Sequence, residues 1–483
     1  HLKGMKSAPQ YPLPLDRATW QGEPVVAVVA DSRAAAEDGV AALAVEWDPL
    51  PAQLDMETAL DPGAVVIHPE LGDNLVFTRT AEKGDVAAAM AAAHKVVEAT
   101  FVTGRHTGVT LEPRSIIADW NPADGTLTVH HSTQAPHMMQ GVFAKQLRIE
   151  EGAVRVICKD VGGSFGIKVH VYPDEVAVAA MTKILGRPVK FVADRFESFV
   201  SDIHARDHRI TGRIAVDAEG KILAFDIDDR TGIGPYSVYP RTSAIEGNQV
   251  VNLCGGPYDF ANYRCTTTVV AQNKVPTCQY RAVGHPIATA VTEGLVDLAA
   301  EALGLDPVEL RRRNLIRDDA YPYTSPPGMR FEGLSHHAAL DKLLAMVPVE
   351  RIRADQAEQR KKGVYRGLGF ASFIELTNPS PFMYGIGGAR ISAQDGATVR
   401  MDPDGSVVVM SGVTEQGQGT EGILRQIVAH GVGVPLERVK VITGDTQTTP
   451  YGGGTWACRG AGIGGEAALQ SAIALKQQIL VVA

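Results

Sequence analysis

Residues 154–166, Val-Arg-Val-Ile-Cys-Lys-Asp-Val-Gly-Gly-Ser-Phe-Gly, read as a strand over Val154–Cys158 running into a glycine turn over Val161–Gly166. A helix is expected next over Asp174–Leu185, stopped by Gly186 and Pro188. Glycine lets the main chain approach a ligand closely, and the free N–H groups at a helix start attract anions. The same design recurs. Ser132-Thr133-Gln134-Ala135-Pro136 opens a helix through Leu147, and Gln279-Tyr280-Arg281-Ala282-Val283-Gly284-His285-Pro286 opens one through Leu303, ended by Gly304. A pair of turns lies further on. Glu415-Gln416-Gly417-Gln418-Gly419 leads into a helix over Thr420–His430. Gly452-Gly453-Gly454-Thr455-Trp456-Ala457-Cys458-Arg459-Gly460 leads into a helical end reaching about Leu480. Any one of these alone reads more readily as a tight turn or a close strand–helix contact. Several converging on one point suggest a large, polar, phosphate-bearing ligand. None fits the P-loop, and Gly-Gly-Ser-Phe-Gly-Ile lacks the dinucleotide frame of glycines.

The chain around these turns has 483 residues, enough for two to four domains of about 100–200 residues each. Its 49 glycines follow no period, which excludes a collagen-like rod, and 45% hydrophobic with 21% charged residues is ordinary globular chemistry. The net charge of −9 argues against a nucleic-acid partner, which needs a basic face. Cys158, Cys254, Cys265, Cys278 and Cys458 lack zinc or iron–sulfur spacing. They read as reduced thiols of a cytoplasmic protein, with export to the periplasm alongside a partner as the alternative. No run reaches the ~18–20 apolar residues of a membrane span, and no signal peptide opens the chain, which starts at His1.

Along the chain, Pro24–Ala30 reads as a buried strand. Asp31 is expected to cap a helix from Ser32 to about Leu43, and Val45–Trp47 to begin another strand. From about Asn74, Asp85 caps a helix through Ala93 and Val96–Val102 returns as a strand. Asp306 caps a short helix bearing Arg311, Arg312 and Arg313. Residues 316–362 read as a loop-rich connection, and Gly363–Thr443 as β-rich with a turn at Asp402-Pro403-Asp404-Gly405.

The set STQ, GGSFG, QYRAVGHP, TEQGQG and GTWACRGAG, in this order and preceded by Glu112-Pro113-Arg114, resembles the large subunit of the xanthine dehydrogenase/aldehyde oxidase family of molybdenum hydroxylases. The likeness runs over nearly the whole chain. It implies an α+β architecture: a partial α/β hammerhead segment over 1–65, a first mixed α/β molybdopterin-binding lobe over 75–318, and the truncated start of a second over 363–483. It implies molybdopterin, in its cytosine dinucleotide form, carrying molybdenum. It also implies separate iron–sulfur (2Fe-2S) and FAD subunits that take electrons away. The activity implied is oxidation of an aromatic N-heterocycle or an aldehyde, with oxygen drawn from water.

The resemblance assigns roles residue by residue. Gln134 would hydrogen-bond a terminal oxygen ligand of the molybdenum, although it reads equally as a polar residue bonding its helix start. Phe165 and Gly166, next to Gly163, would approach the metal from one side; Phe165 alone reads as core. Arg281, with Ala282, would lie in the loop beside the metal, where a surface salt bridge is the other reading. Gln416, Gly417 and Gln418, with Ala457, Cys458, Arg459 and Gly460, would hold the pterin and its phosphates through backbone N–H groups. Gln134, Phe165, Arg281 and Ala457 would thus surround the metal. Arg459 would add charge there, or simply face solvent. Cys458 reads as a small residue near the cofactor rather than a catalytic thiol, and His285 is given no role.

The same likeness marks departures. Purine-oxidising members carry a glutamate where Val169 stands, and carbon monoxide-oxidising members a copper-binding cysteine where Ala282 stands, so neither substrate is expected. Val169, Val283 and Glu375 are the candidates for facing the substrate, although Glu375 also reads as a solvated loop residue. The family's catalytic base is a glutamate beyond the last of these motifs. No catalytic residue is therefore assigned in this chain: Glu466 belongs to the final helix, and the base is expected downstream or in a second polypeptide half. Two other readings stay open: a non-catalytic scaffold or assembly subunit, and a reductase that removes a ring hydroxyl.

Overall fold

The computed structural model describes residues 2–378 and 394–482. Helix α1, Arg33–Ala41, is capped by the Ser32 hydroxyl, which accepts from Ala35 N; the expected cap, Asp31, is one residue too early. The expected strands at Pro24–Ala30 and Val45–Trp47 do not form. Val26, Val29, Val45 and Trp47 are 45, 42, 49 and 64% exposed. An apolar run becomes a strand only when a neighbour completes its ladder of N–H and C=O groups, and among the described residues none does.

From Leu75 onward the alternation is mostly as expected. Strand β1 (Leu75–Lys83) is followed by α2 (Val86–Ala92), capped by Asp85, and by β2 (Lys95–Thr103). The hairpin β3 (Ser115–Asn121) and β4 (Thr126–His131) leads to α3 (Pro136–Leu147), β5 (Val154–Ile157) and α4 (Pro173–Leu185). Then come β6 (Val189–Val192), α5 (Arg195–Ser201), β7 (His208–Val216), β8 (Ile222–Ile233), α6 (Ile245–Leu253) and β9 (Asn262–Ala271). Helix α7 (His285–Leu303) ends at Gly304, and Asp306 caps α8 (Pro307–Asn314).

Residues 316–362 are less loop-like than expected. Beyond the short pair β10 (Tyr323–Thr324) and β11 (Arg330–Phe331) they hold two helices, α9 (His336–Met346) and α10 (Val349–Lys361). In these two helices Leu340 alone is buried, so their apolar stripe is too thin to stand out from the charge. The C-terminal lobe is β12 (Ala397–Met401), β13 (Val407–Ser411), α11 (Thr420–Val432), β14 (Val439–Ile442) and α12 (Gly465–Val482).

Besides the β10-β11 pair, the described residues form three sheets in an α+β arrangement: β1-β9-β8-β7-β2, β5-β4-β3-β6 and β12-β13-β14. Most pairs are antiparallel, but β8 with β9, β4 with β5 and β13 with β14 are parallel. Helices α3 and α4 cover the second sheet over Ile116, Val129, Met139, Phe143 and Val156. Helices α11 and α12 cover the third over Val409, Leu424, Val428 and Ala468. Ligands of open α/β sheets bind outside the carboxyl ends of parallel strands. Those ends are where β4 and β5 release the loops at 132–135 and 158–166, and β13 and β14 those at 412–419 and 443–464. The two pairs meet edge to edge: Cys158 N donates to Gly444 O at 2.6 Å, Thr446 N to Val156 O at 3.1 Å, and Arg155 pairs with Asp445 at 2.7 Å.

Candidate functional site

Gln134 lies at the junction of the two lobes and is 2% exposed. Its backbone N donates to Lys168 O at 3.0 Å, and its backbone O accepts from Thr455 N at 3.0 Å and Thr414 Oγ1 at 3.0 Å. Its carboxamide works in both directions: Oε1 accepts from Gly166 N at 3.1 Å, and Nε2 donates to Thr455 O at 2.8 Å. A carboxamide carries two N–H donors, so one remains after these contacts. The chain passes close here because Gly454 has no Cβ: one added there would sit 2.2 Å from Gln134 O.

The other expected loops join the same point. Arg281 N donates to Phe165 O at 2.9 Å, and its guanidinium lies 5.9 Å from the Phe165 ring centre. Gln416 Nε2 donates to Thr455 O at 2.9 Å, and Ser164 Oγ bonds Gln416 Oε1. Trp456, from the C-terminal lobe, packs in the first lobe's cluster with Ala457 at its edge. Phe165 is 42% exposed rather than core. Arg281, Cys458 and Gly417–Gly419 are likewise exposed, and Arg281 enters no ion pair among the described residues. The backbone is unusual on the same rim: Phe165, Ala282, Ala457 and Cys458 take positive φ of 52, 71, 51 and 59°, and Gly163 one of 91°. Non-glycine residues rarely do so, and those that do gather at ligand sites.

Three expected roles need correction. The N–H groups of the Gln416–Gly419 turn are mostly engaged already. Glu415 Oε1 accepts from Gln416 N, Gly417 N and Gly419 N at 3.0, 2.9 and 3.1 Å, and its Oε2 from Glu421 N at 3.0 Å. Partial burial opposes that charge, yet the four donors outweigh it and hold the carboxyl below its usual range. Arg459 neither faces solvent nor offers a free charge. Like Asp395 it is fully buried, and it donates to Asp395 Oδ2 at 2.9 and 2.7 Å and to Gln394 O at 2.9 Å. Burial pushes Asp395 up to about 6 against the pull of Arg459, and its other oxygen accepts from Gly453 N at 3.0 Å. Gly460, buried, begins the π-turn that follows. Val169, third, is 1% exposed and belongs to the core under α3, not to the rim.

Val283 is half-buried against Ile167, Tyr172 and Cys278. Glu375 is exposed, and its charge acts on Cys458. Burial and then that carboxylate push the Cys458 thiol above its usual range while Arg281 pulls it down, the opposite of an activated nucleophile. His285 does play a structural part. Its Nε2 accepts from Leu376 N at 3.0 Å, so Nδ1 carries the proton and donates to Ala282 O at 2.7 Å, tying residues 375–376 to the Arg281 turn. Glu466 is on the surface, accepting from Gln470 Nε2 at 2.8 Å.

Two features gave no signal in the sequence. Gln279, at the head of the Arg281 turn, has both carboxamide atoms buried without a hydrogen-bond partner among the described residues. A buried ionic chain, Arg206, Glu246, His208 and Asp229, runs behind the same turn. Two recesses of about 310 and 260 Å³ lie away from the loops, one lined by Lys6, His68 and Pro235, the other by Cys254, Phe260 and Phe331.

Fold and loops together define a two-lobed α+β protein whose glycine-rich turns gather where two parallel strand pairs meet. The chain belongs to the molybdopterin cofactor-binding family: one model described as "Molybdopterin cofactor-binding domain" matches residues 67–315, and a second of the same description matches 342–483. This is the family its motif order resembles. It is 35% identical over 97% of its length to the nicotine 6-hydroxylase large subunit of Paenarthrobacter nicotinovorans, spanning 57% of that protein. It is 32% identical over 94% of its length to the carbon monoxide dehydrogenase large chain of Hydrogenophaga pseudoflava, spanning 58% of it. The crystal structure of quinoline 2-oxidoreductase from Pseudomonas putida 86 superposes with a TM-score of 0.94 at 34% identity, over 99% of this chain and 60% of that one. The chain thus spans less than two thirds of the relatives it matches.

Features of this chain's own residues fit a molybdopterin. The rim is open, and a Cβ at Gly417 or Gly419 would meet nothing within 4 Å. Among the described residues, Gln134 keeps an unused N–H, and Gln279 leaves a buried carboxamide unpartnered. Such a group needs a hydrogen-bonding occupant to offset its desolvation.

Proposed function

We propose that this chain is the cofactor-holding part of a molybdenum hydroxylase large subunit that oxidises an aromatic N-heterocycle. The observation that carries this is the knot at Gln134, where loops from both lobes are joined while a donor and an open rim remain free. When bound, the cofactor supplies a two-electron oxidation in which oxygen comes from water. The chain's residues do the rest. Gln134, buried and fixed at both ends, would orient the cofactor through its spare N–H without adding charge. Phe165 and Arg281, face to face on the rim, offer a flat apolar surface and a cation to an aromatic ring. Val283 and Glu375 border that side, whereas Val169 acts only through packing. Gly163, Gly166, Ala457 and Cys458 shape the wall, and Arg459 stiffens it through Asp395.

Nicotine and quinoline in the relatives' names fit this choice, and Ala282 offers no thiol for a copper-dependent carbon monoxide site. The carboxylates on these loops are already engaged: Glu415 is held by four N–H groups, and Glu112 by Lys168 at 3.2 Å and by Gly162 N. The proposed base is a glutamate outside this chain's 483 residues, with 2Fe-2S and FAD subunits receiving electrons and the cytosine dinucleotide as the pterin form. No helix among the described residues is long and apolar enough to cross a membrane; the proposed compartment is the cytoplasm.

One observation favours the scaffold reading: Glu415 occupies amides that a phosphate would otherwise use. Both readings are separated by purifying the native complex and measuring molybdenum per chain, cytidine or guanosine nucleotide released by acid, and ¹⁸O transfer from water to quinoline or nicotine. Near-stoichiometric molybdenum with labelled product supports the hydroxylase. A folded complex without molybdenum or nucleotide supports the scaffold.

A further inference from the structure

Behind the Arg281 turn lies a chain of buried charges of alternating sign. Arg206, 5% exposed and at φ 70°, stands just before β7. Its Nη2 donates to Arg281 O and, at 3.3 Å, to Tyr280 O; its guanidinium lies 5.1 Å from the Tyr280 ring centre. Glu246, in the first turn of α6, bonds Arg206 Nη1 and accepts from the Arg206 backbone N at 2.9 Å and from Gly284 N at 3.4 Å. His208 Nε2 is 3.8 Å from Glu246 Oε2, and its Nδ1 is 2.7 Å from Asp229 Oδ1. Thr231 and Thr267 hydroxyls donate to Asp229 Oδ2 at 3.0 and 2.8 Å, closing the chain on β8 and β9.

Such a chain is a poor stabiliser, because well-packed apolar residues of equal volume usually do as well. Its terminal donors point at the two carbonyls that precede Ala282, a non-glycine residue held at φ 71°, and its carboxylate accepts from Gly284 N two residues further on. A strained conformation persists only when its surroundings over-determine it. Burial works against the His208 charge, yet Asp229 and Glu246 hold its pKa at about 10, and Glu246 is kept at about 2, so His208 and Glu246 are both charged near neutrality.

We propose that Arg206, aligned by Glu246 and His208, is the positioning residue that fixes the Arg281 turn and hence the direction of the Arg281 guanidinium at the site. This rests on the reading of Arg281 as a site residue.

The test uses the native complex carrying Arg206→Met with Glu246→Gln, which removes opposite charges together, and Arg206→Lys, which keeps the cation but not the fork. Hydrogen exchange of residues 279–285 should quicken by about tenfold or more in the double variant while β7 and β8 stay protected. Molybdenum per chain should hold, and kcat per molybdenum should fall by about 10–100-fold, with Arg206→Lys between. Unchanged exchange and unchanged kcat overturn the proposal. If the double variant loses protection throughout, Arg206→Lys decides alone: local quickening at 279–285 supports the clamp, and its absence overturns it. Arg281→Met tests the underlying reading. If it leaves kcat per molybdenum unaltered, Arg281 has no site role, while the exchange data still say whether Arg206 holds the turn.

Discussion

Gly454 and Gly405 share the same φ of 79°, but their surroundings differ completely. A Cβ at Gly405 would meet nothing within 4 Å; at Gly454 it would sit 2.2 Å from Gln134 O, 2.7 Å from Ala135 Cα and 3.0 Å from Ala135 Cβ. Gly405→Ala therefore measures the left-handed backbone penalty alone, about 1–2 kcal/mol. Gly454→Ala adds a collision that rotation cannot relieve, because the contacts are largely backbone. Relief requires the C-terminal lobe to retreat by roughly 1 Å, judged against an ordinary contact of ~3.4 Å or more. That retreat would strain the Thr455 N to Gln134 O bond at 3.0 Å and the Gln134 Nε2 to Thr455 O bond at 2.8 Å. Each is worth about 1 kcal/mol net, and more where a buried group is left unpaired. Together the substitution should cost about 3–5 kcal/mol. Urea denaturation of the two variants, with cofactor content of the native complexes, gives the comparison. Equal loss in both would refute the reasoning, since it would mean the lobes do not meet at Gln134 as described.

Asp395→Asn should remove the buried countercharge of Arg459 and cost about 3–5 kcal/mol by denaturant titration; a loss below about 1 kcal/mol would count against the buried pair. Glu415→Ala should release four N–H groups at once and quicken hydrogen exchange over 416–421, with a milder loss of about 1–2 kcal/mol because water reaches the loop; unchanged exchange would show that another group holds the turn. The folded state binds the His208 proton more tightly than an unfolded chain does, so its contribution is complete below about 6.5 and is lost as pH rises through about 10. That interval is worth at most about 5 kcal/mol. The stability gap between wild type and His208→Gln should therefore shrink between about pH 7 and about pH 10, and a gap that widens would contradict the assignment.

Local chemistry made much of the fold legible. Pro136, Gly186, Gly304 and Asp306 each mark a helix end through φ restriction or side-chain capping, and the helices begin or stop there. The convergence of loops was legible only through the order of the motifs, because nothing local in Gln134 says that Thr455 will lie against it. What failed depended on distant partners. Pro24–Ala30 carries a strand's composition without a neighbouring strand to complete it. Arg459 reads as a free cation until Asp395, 64 residues earlier, is folded against it. Val169 follows the GGSFG turn yet points beneath α3. Glu415 was readable: a carboxylate just before a glycine-rich helix start is well placed to satisfy that start itself. His204 and His208 stand four apart, a spacing that would pair ligands on a helix, but the segment is extended and His208 is given to Asp229.

The most direct measurement is anomalous diffraction at the molybdenum edge from crystals of the native complex. A single strong peak bordered by Gln134, Phe165, Arg281 and Ala457 is the predicted result. A peak elsewhere, or a fully folded complex with none, would contradict the cradle built from these loops.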